Sequence, residues 1–315
     1  MLRVLVLGAA AGGGFPQWNS NNDASQRARR GDPSARPSSQ SSVAVSADGE
    51  NWVLLNASPD LRQQINDNPQ LHPRVGVRHS PIRAVVLTNG DVDHVAGLLT
   101  LRERHPLAVY GTGRVLSVLD RNAIFNVLNP AFVDRRQLRL GERCEPESKE
   151  GEPLGLAITP FAVPGKVALY LEDEAAGDCN FGTVEEDTIA LRIEAGSGNG
   201  AGPHRFLYVP ACAAPSPQLS AEMEGADLMM FDGTLWQDEE MRLQGAGSKT
   251  GKRMGHMSLS GPGGTLATFS DSPVARKVLI HINNTNPILL SDSDERAAVE
   301  AAGWEVAYDG MEITL

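Results

Sequence analysis

Cysteine is scarce: the 315 residues hold three. Cys144, Cys179 and Cys212 are odd in number and far apart, which excludes reading a disulfide framework or a cysteine zinc cluster from them and points to a reducing compartment. Long apolar runs are also missing. No stretch approaches the roughly 20 consecutive apolar residues of a membrane-spanning helix, and residues 1–11 lack the basic start and long apolar stretch of a secretory signal. A cytoplasmic protein is expected. Positive charge is in short supply as well, with 28 Lys and Arg against 39 Asp and Glu, a net charge of −11. That balance argues against general affinity for nucleic acid or an anionic membrane. What remains is a globular composition, 41% hydrophobic and 21% charged, long enough to bury a large core unaided.

Leu2-Arg3-Val4-Leu5-Val6-Leu7 reads as a buried first strand. The Gly12-Gly13-Gly14 that follows is a tight structural loop rather than a phosphate loop, because no Gly-Lys-Ser/Thr accompanies it. Residues 19–42 are rich in Ser, Asn and Arg and read as a polar surface excursion. Strands at 43–46 and 52–55 flank Asp48-Gly49, a pair that readily adopts the positive φ values of a hairpin turn. Beyond them the pattern predicts strands at 83–88, 107–110, 157–163, 167–171, 188–193, 205–209, 227–231, 277–280 and 304–308. Helices are expected at 94–104, 113–128, 217–224 and 294–302, and a flexible loop at 196–202. Strands in hairpins, with helices spread through both halves, suggest two sheets covered by helices in a single domain spanning 1–315.

Three polar constellations follow directly on buried strands, where α/β architectures gather reactive groups. They are Thr88-Asn89-Gly90-Asp91-Val92-Asp93-His94, Phe231-Asp232-Gly233-Thr234 and His281-Ile282-Asn283-Asn284. Each has a bland explanation: Asp93 as a helix cap with His94 half exposed beside it, Asp232 as a turn former, His281 as a core histidine. Together they can supply two imidazoles and one or two carboxylates, a ligand set for a divalent metal with open positions. His72, His79, His105 and His204 stand in polar loops or at helix ends and read as exposed. His256 differs, following a basic cluster of Lys249, Lys252 and Arg253 that reads as a solvated loop or as an anion-binding lip.

These residues resemble the metallo-β-lactamase superfamily, whose hallmark after a buried strand is His-x-His-x-Asp-His. Asn89 and Asp91 stand where the first two histidines belong, while Asp93 and His94 match. No histidine occurs in Val163-Pro164-Gly165-Lys166, near which a third is expected. Asp232 resembles the superfamily's bridging aspartate and His281 its last histidine. The resemblance therefore implies that the first metal position is lost or weakened and the second retained.

Over its whole length the chain resembles more closely the PqqB family, the B proteins of pyrroloquinoline quinone (PQQ) biosynthesis. The matching segments are Gly8 through Asn19, Thr88 through His94, Val163-Pro164-Gly165-Lys166, Met254-Gly255-His256-Met257 and His281 through Pro287. Many members carry Cys-x-Cys-x-x-Cys after Trp-Asn, proposed to hold a structural zinc. Here Ser20, Asn22 and Ser25 replace the thiolates, so that zinc is expected to be absent.

The resemblance implies an α+β fold, the αββα sandwich of two mixed β-sheets flanked by helices. It implies iron-dependent, oxygen-using hydroxylation of the tyrosine ring in a Glu-Tyr-type precursor derived from the PqqA peptide. Asp93, His94, Asp232 and His281 would ligate one Fe(II), or Zn(II) in its place. Asp91 and His256 would act as catalytic groups, and Lys249, Lys252 and Arg253 would bind substrate. Other proteins of the pathway are implied as partners, a homodimer stays open, and neither nucleic acid nor membrane is implied. Zinc-dependent hydrolysis and a non-catalytic carrier of PQQ or its precursor remain the alternative readings.

Overall fold

The computed structural model describes residues 1–172, 183–196 and 202–315. Cys179 and most of the expected 196–202 loop lie outside the described residues. The first sheet is built from β1 (Arg3–Gly8), β2 (Ser42–Ser46), β3 (Trp52–Leu55), β4 (Ile82–Val86), β5 (Leu107–Thr112), β6 (Val133–Leu138) and β13 (Glu312–Thr314), in the order β13-β1-β2-β3-β4-β5-β6. It is antiparallel from β13 to β3 and parallel from β3 to β6. The second sheet holds β7 (Leu156–Ala162), β8 (Ile189–Ala195), β9 (His204–Val209), β10 (Leu228–Asp232), β11 (Arg276–Ile280) and β12 (Glu305–Val306), ordered β12-β11-β10-β9-β8-β7. Its β7 to β9 stretch is antiparallel and its β9 to β12 stretch parallel.

The two-residue period of a strand decides the layering. Val4 and Val6 of β1, Val43 and Val45 of β2, Leu191 and Ile193 of β8, and Val278 and Ile280 of β11 all point into one core between the sheets. Their alternates point outward. Leu5, Leu54 and Val85 pack under α2 (Leu61–Asp67) and α4 (Gly113–Arg121), and Leu207, Met229 and Leu279 under α5 (Pro217–Met223) and α8 (Asp294–Ala301). Each fully buried aliphatic side chain contributes roughly 1.5–3 kcal/mol, so the inner and outer faces together fix register. The result is the expected αββα sandwich of two mixed sheets flanked by helices.

Several sequence expectations are revised. Residues 19–42 contain α1 (Asp23–Arg29), capped by Asn22 Oδ1 accepting from Ser25 N–H at 2.8 Å. Phe15, Ala28 and Ala35 are buried there with Ala10. The helix buries only Ser25 and Ala28, too little to leave a 3.6-residue signature. The strand expected at 167–171 is absent: Leu169–Leu171 is a 3₁₀ turn with no buried residue. The helix expected at 113–128 breaks at Asn122, whose side chain donates to Val118 O at 2.7 Å, and a 3₁₀ turn over Ala123–Val127 follows. The helix expected at 94–104 is one turn, α3 (Val92–Val95), continued by 3₁₀ over Ala96–Leu101. Arginine-rich β6 and three-residue β13 escaped the sequence pattern because only pairing with β5 and β1 makes them strands. No helix among the described residues is long and apolar enough to cross a membrane.

Candidate metal centre

The site lies where the ends of β4, β10 and β11 converge. Parallel β10 and β11 place Asp232 beside Ile280, so His281 emerges next to Asp232. The sheets meet at the end of β4, where Ile189 N–H donates to Thr88 O at 3.0 Å and Asn89 bridges Thr188. Asp93 and His94 are thereby carried across to the other two strand ends. Among the described residues two overlapping donor groups result, Asp93-His94-His281 and Asp232-His256-His281, with the ligand atoms of each group within 4.8 Å of one another.

Every donor is oriented by a neighbour. His94, 1% exposed, has Nδ1 at 2.7 Å from Asn89 Oδ1. The amide oxygen only accepts, so the proton sits on Nδ1 and Nε2 keeps a lone pair. That buried Nε2 has no hydrogen-bond partner among the described residues, and the nearest carboxylate oxygen, Asp93 Oδ2, lies 4.0 Å away. A buried acceptor left bare costs about 1–3 kcal/mol, and a cation between His94 and Asp93 would satisfy it. Thr234 Oγ1 stands 2.6 Å from Asp232 Oδ1, 2.8 Å from His281 Nδ1 and 3.1 Å from His256 Nδ1. With His281 donating from Nδ1 to this hydroxyl, its Nε2 faces Asp93 Oδ2 at 3.1 Å. His256 Nδ1 is 2.7 Å from Asp232 Oδ2, which also accepts from Cys212 N–H at 2.9 Å.

The electrostatics favour added positive charge. Burial, the largest influence, lowers His94 to about 4, so it is a neutral nitrogen donor near pH 7. Burial opposes ionisation of Asp93 and Asp232 too, yet the adjoining imidazoles hold both carboxylates below their usual range. Burial likewise works against a charged His281, but the hydrogen bond and charge of Asp93, joined by Asp232, raise it. The carboxylates thus draw positive charge toward His281, which is what a divalent ion supplies. His281 also has φ of +59°, a left-handed backbone in a non-glycine residue, of the kind that collects at functional sites.

The family is decided by comparison along the whole chain. Residues 51–282 match the beta-lactamase superfamily domain. Coenzyme PQQ synthesis protein B of Gluconacetobacter diazotrophicus is 53% identical over 315 residues, covering 100% of both chains. The chain belongs to the PqqB family. The Xanthomonas campestris PqqB is 51% identical over 317 residues, again with 100% of both chains covered. The crystal structure of Zn(2+)-bound PqqB from Methylobacterium extorquens superposes with a TM-score of 0.92 at 50% identity, covering 99% of this chain and 100% of that one.

In this PqqB-family chain Asp93, His94, Asp232 and His281 come together. His256, expected to bind substrate or move protons, adjoins them through Asp232. Asp91 stands at the N-terminal cap position of α3 without a side-chain cap bond, its Oδ1 turned to Lys166 Nζ at 3.4 Å and Leu169 N at 3.3 Å. The basic segment is placed differently from the expectation of cations offered to substrate. Lys249 and Arg253 reach Glu172 Oε2 at 3.0 and 2.9 Å, and Lys252 is exposed. The Glu172 side chain is only 6% exposed; its burial is outweighed by the two cations, which hold it below the usual carboxylate range. His72, His79, His105 and His204 are half-buried rather than exposed, and none belongs to the donor groups. Sequence reading missed the orienting roles of Asn89 and Thr234; their one signal was position, each within a polar run that ends a buried strand.

Proposed function

We propose that this chain acts in PQQ biosynthesis as a metal-dependent enzyme that hydroxylates the tyrosine ring of a Glu-Tyr-type precursor. The reading rests on one observation above the others: the bare, buried Nε2 of His94 facing Asp93 and His281. Asp93, His94 and His281, with Asp232 alongside, would hold one ion. Fe(II) bound by such nitrogen and carboxylate donors supplies oxygen activation while leaving positions open. The chain's own residues do the rest. Asn89 keeps the proton of His94 on Nδ1, and Thr234 does the same for His281, so both rings present Nε2. His256, anchored at Nδ1 by Asp232, has Nε2 left to hold or pass a proton to the substrate. Asp91, 24% exposed, stands at the rim, where it would serve as an additional ligand or base. Burial of the donors keeps bulk water from the reacting carbon.

The zinc in the related Methylobacterium extorquens protein favours a second reading, zinc-dependent hydrolysis. One experiment separates the two. Protein loaded anaerobically with Fe(II), given a reductant, glutamyl-tyrosine and ¹⁸O₂, is expected to yield a product heavier by one labelled oxygen. Cleavage of the peptide bond without uptake of label would support hydrolysis, and stoichiometric binding without product in iron-replete protein would support a carrier.

A further inference from the structure

Val163-Pro164-Gly165-Lys166 stands out in the sequence, and the reading of the site leaves it without a task. The segment follows β7 and is pinned to its surroundings. Ala213 N–H donates to Pro164 O at 2.6 Å, Thr188 Oγ1 to Lys166 O at 2.8 Å, and Val167 N–H to Thr183 Oγ1 at 3.0 Å. Gly165 lies so close to Thr188 that a Cβ would come within 2.5 Å of its side chain. The backbone of Lys166 is therefore fixed, and its side chain is 14% exposed.

That side chain runs between two parts of the site. Its stem rests against Gly255, where a Cβ would fall 3.0 Å from Lys166 Cγ, next to His256. Its ammonium reaches Asp91 Oδ1 at 3.4 Å and Val167 O at 3.3 Å. A closed ammonium–carboxylate hydrogen bond is about 2.7–2.9 Å, so neither contact is tight, and an ammonium has three protons to donate. Lys249 and Arg253 contrast with it, since both are engaged by the one buried carboxylate of Glu172.

We infer that Lys166 is the seat of the substrate's C-terminal carboxylate, held beside the metal donors by the clamped 164–167 loop. This deepens the reading of the site as one for a tyrosine-bearing acid and rests on it for the choice of first probe. A carboxylate arriving between Asp91 and the 255–256 turn exchanges the loose Asp91 contact for a tight, charge-assisted one. The aromatic end of the same molecule then extends toward Asp93, His94 and His281.

The test uses the full chain loaded with Zn(II) without oxygen or reductant, measures ligand binding by calorimetry, and checks each probe for intactness afterwards. The probes are glutamyl-tyrosine, its C-terminal amide, benzoate and inorganic phosphate, on the parent protein, Lys166→Met and Lys166→Arg. Metal content is determined on every sample. Lys166→Met is expected to keep its metal and to lose about 10- to 100-fold in affinity for the free acids, the range for a charge-assisted bond. The amide should be little affected, and Lys166→Arg should regain part of the loss. Unchanged carboxylate affinity in Lys166→Met overturns the inference, as does loss of metal, which would make Lys166 a support for the ligands. A parent protein that binds none of the four also overturns it. If benzoate and phosphate depend on Lys166 but neither tyrosyl peptide binds, the anion seat stands and the tyrosine substrate falls.

Discussion

Replacing Thr234 by Val keeps the shape of a buried side chain, 4% exposed, and removes one hydroxyl. That hydroxyl has a single proton and can accept as well. Its shortest contacts assign the proton to Asp232 Oδ1 at 2.6 Å and the accepting role to His281 Nδ1 at 2.8 Å. Asp232 Oδ1 would retain the Thr234 N–H at 3.0 Å, whereas His281 Nδ1 would lose its acceptor inside the protein. With hydrogen bonds to charged groups at about 1.5–3 kcal/mol and one oxygen partly compensated, the loss should be on the order of 2–4 kcal/mol. Part would appear as stability of the metal-free protein, read by urea unfolding. The rest would appear as metal affinity, because His281 is no longer held with Nε2 toward Asp93, and a fall of about 10- to 100-fold is expected by chelator competition with Zn(II). Thr234→Ser retains the hydroxyl and should stay within a few-fold of the parent. A Thr234→Val protein that binds Zn(II) as tightly as the parent would refute the orienting role, and so would a loss in Thr234→Ser, which keeps the hydroxyl, as large as that in Thr234→Val.

The donor groups share His281, which offers one nitrogen once Nδ1 is engaged, so elemental analysis should find one tightly held metal per chain; two would sink the assignment. His94→Ala and His281→Ala should lose that metal while keeping a native circular dichroism spectrum, whereas His105→Ala should retain it. At Gly97, a Cβ would stand 2.2 Å from Ser58 O and 2.8 Å from Ala57 backbone; since Ala57 N–H donates to His94 O at 2.7 Å, Gly97→Ala should cost about 1–3 kcal/mol in urea unfolding and weaken metal binding with it. Burial raises Glu240 from 4.5 to about 7 despite hydrogen bonds from Thr285 and Trp236. The folded protein therefore binds this proton more tightly than the unfolded chain. The resulting stability is full below about pH 4.5 and is lost as pH rises through about 7, about 3 kcal/mol in all. Glu240→Gln should abolish that part of the slope between pH 5 and pH 8, and an unchanged slope would show that Glu240 is not its source.

Much of this architecture was written locally. Val-Leu-Val-Leu in β1 and the short apolar runs of β2 and β3 announced strands with two buried faces, because side chains on a strand alternate sides whatever surrounds them. The Asp48-Gly49 turn, the polar runs ending at His94 and Thr234 and the one opening at His281 were equally visible, since each depends on neighbours a few residues away. Elements made by distant pairing were not. β6 and β13 are strands because β5 and β1 present open edges, and 167–171 is no strand because nothing pairs with it. The site divides in the same way. Asp93, His94, Asp232 and His281 were legible as donors because their chemistry belongs to the residue type. Asn89 fixes the tautomer of His94 from only five residues away, yet its aim depends on the turn between them; that Thr234 joins Asp232 to two histidines and that Glu172 engages Lys249 and Arg253 depends on directions and distances between segments far apart in the chain. Local propensity carries no information about such distances; the packing of one sheet against the other decides them.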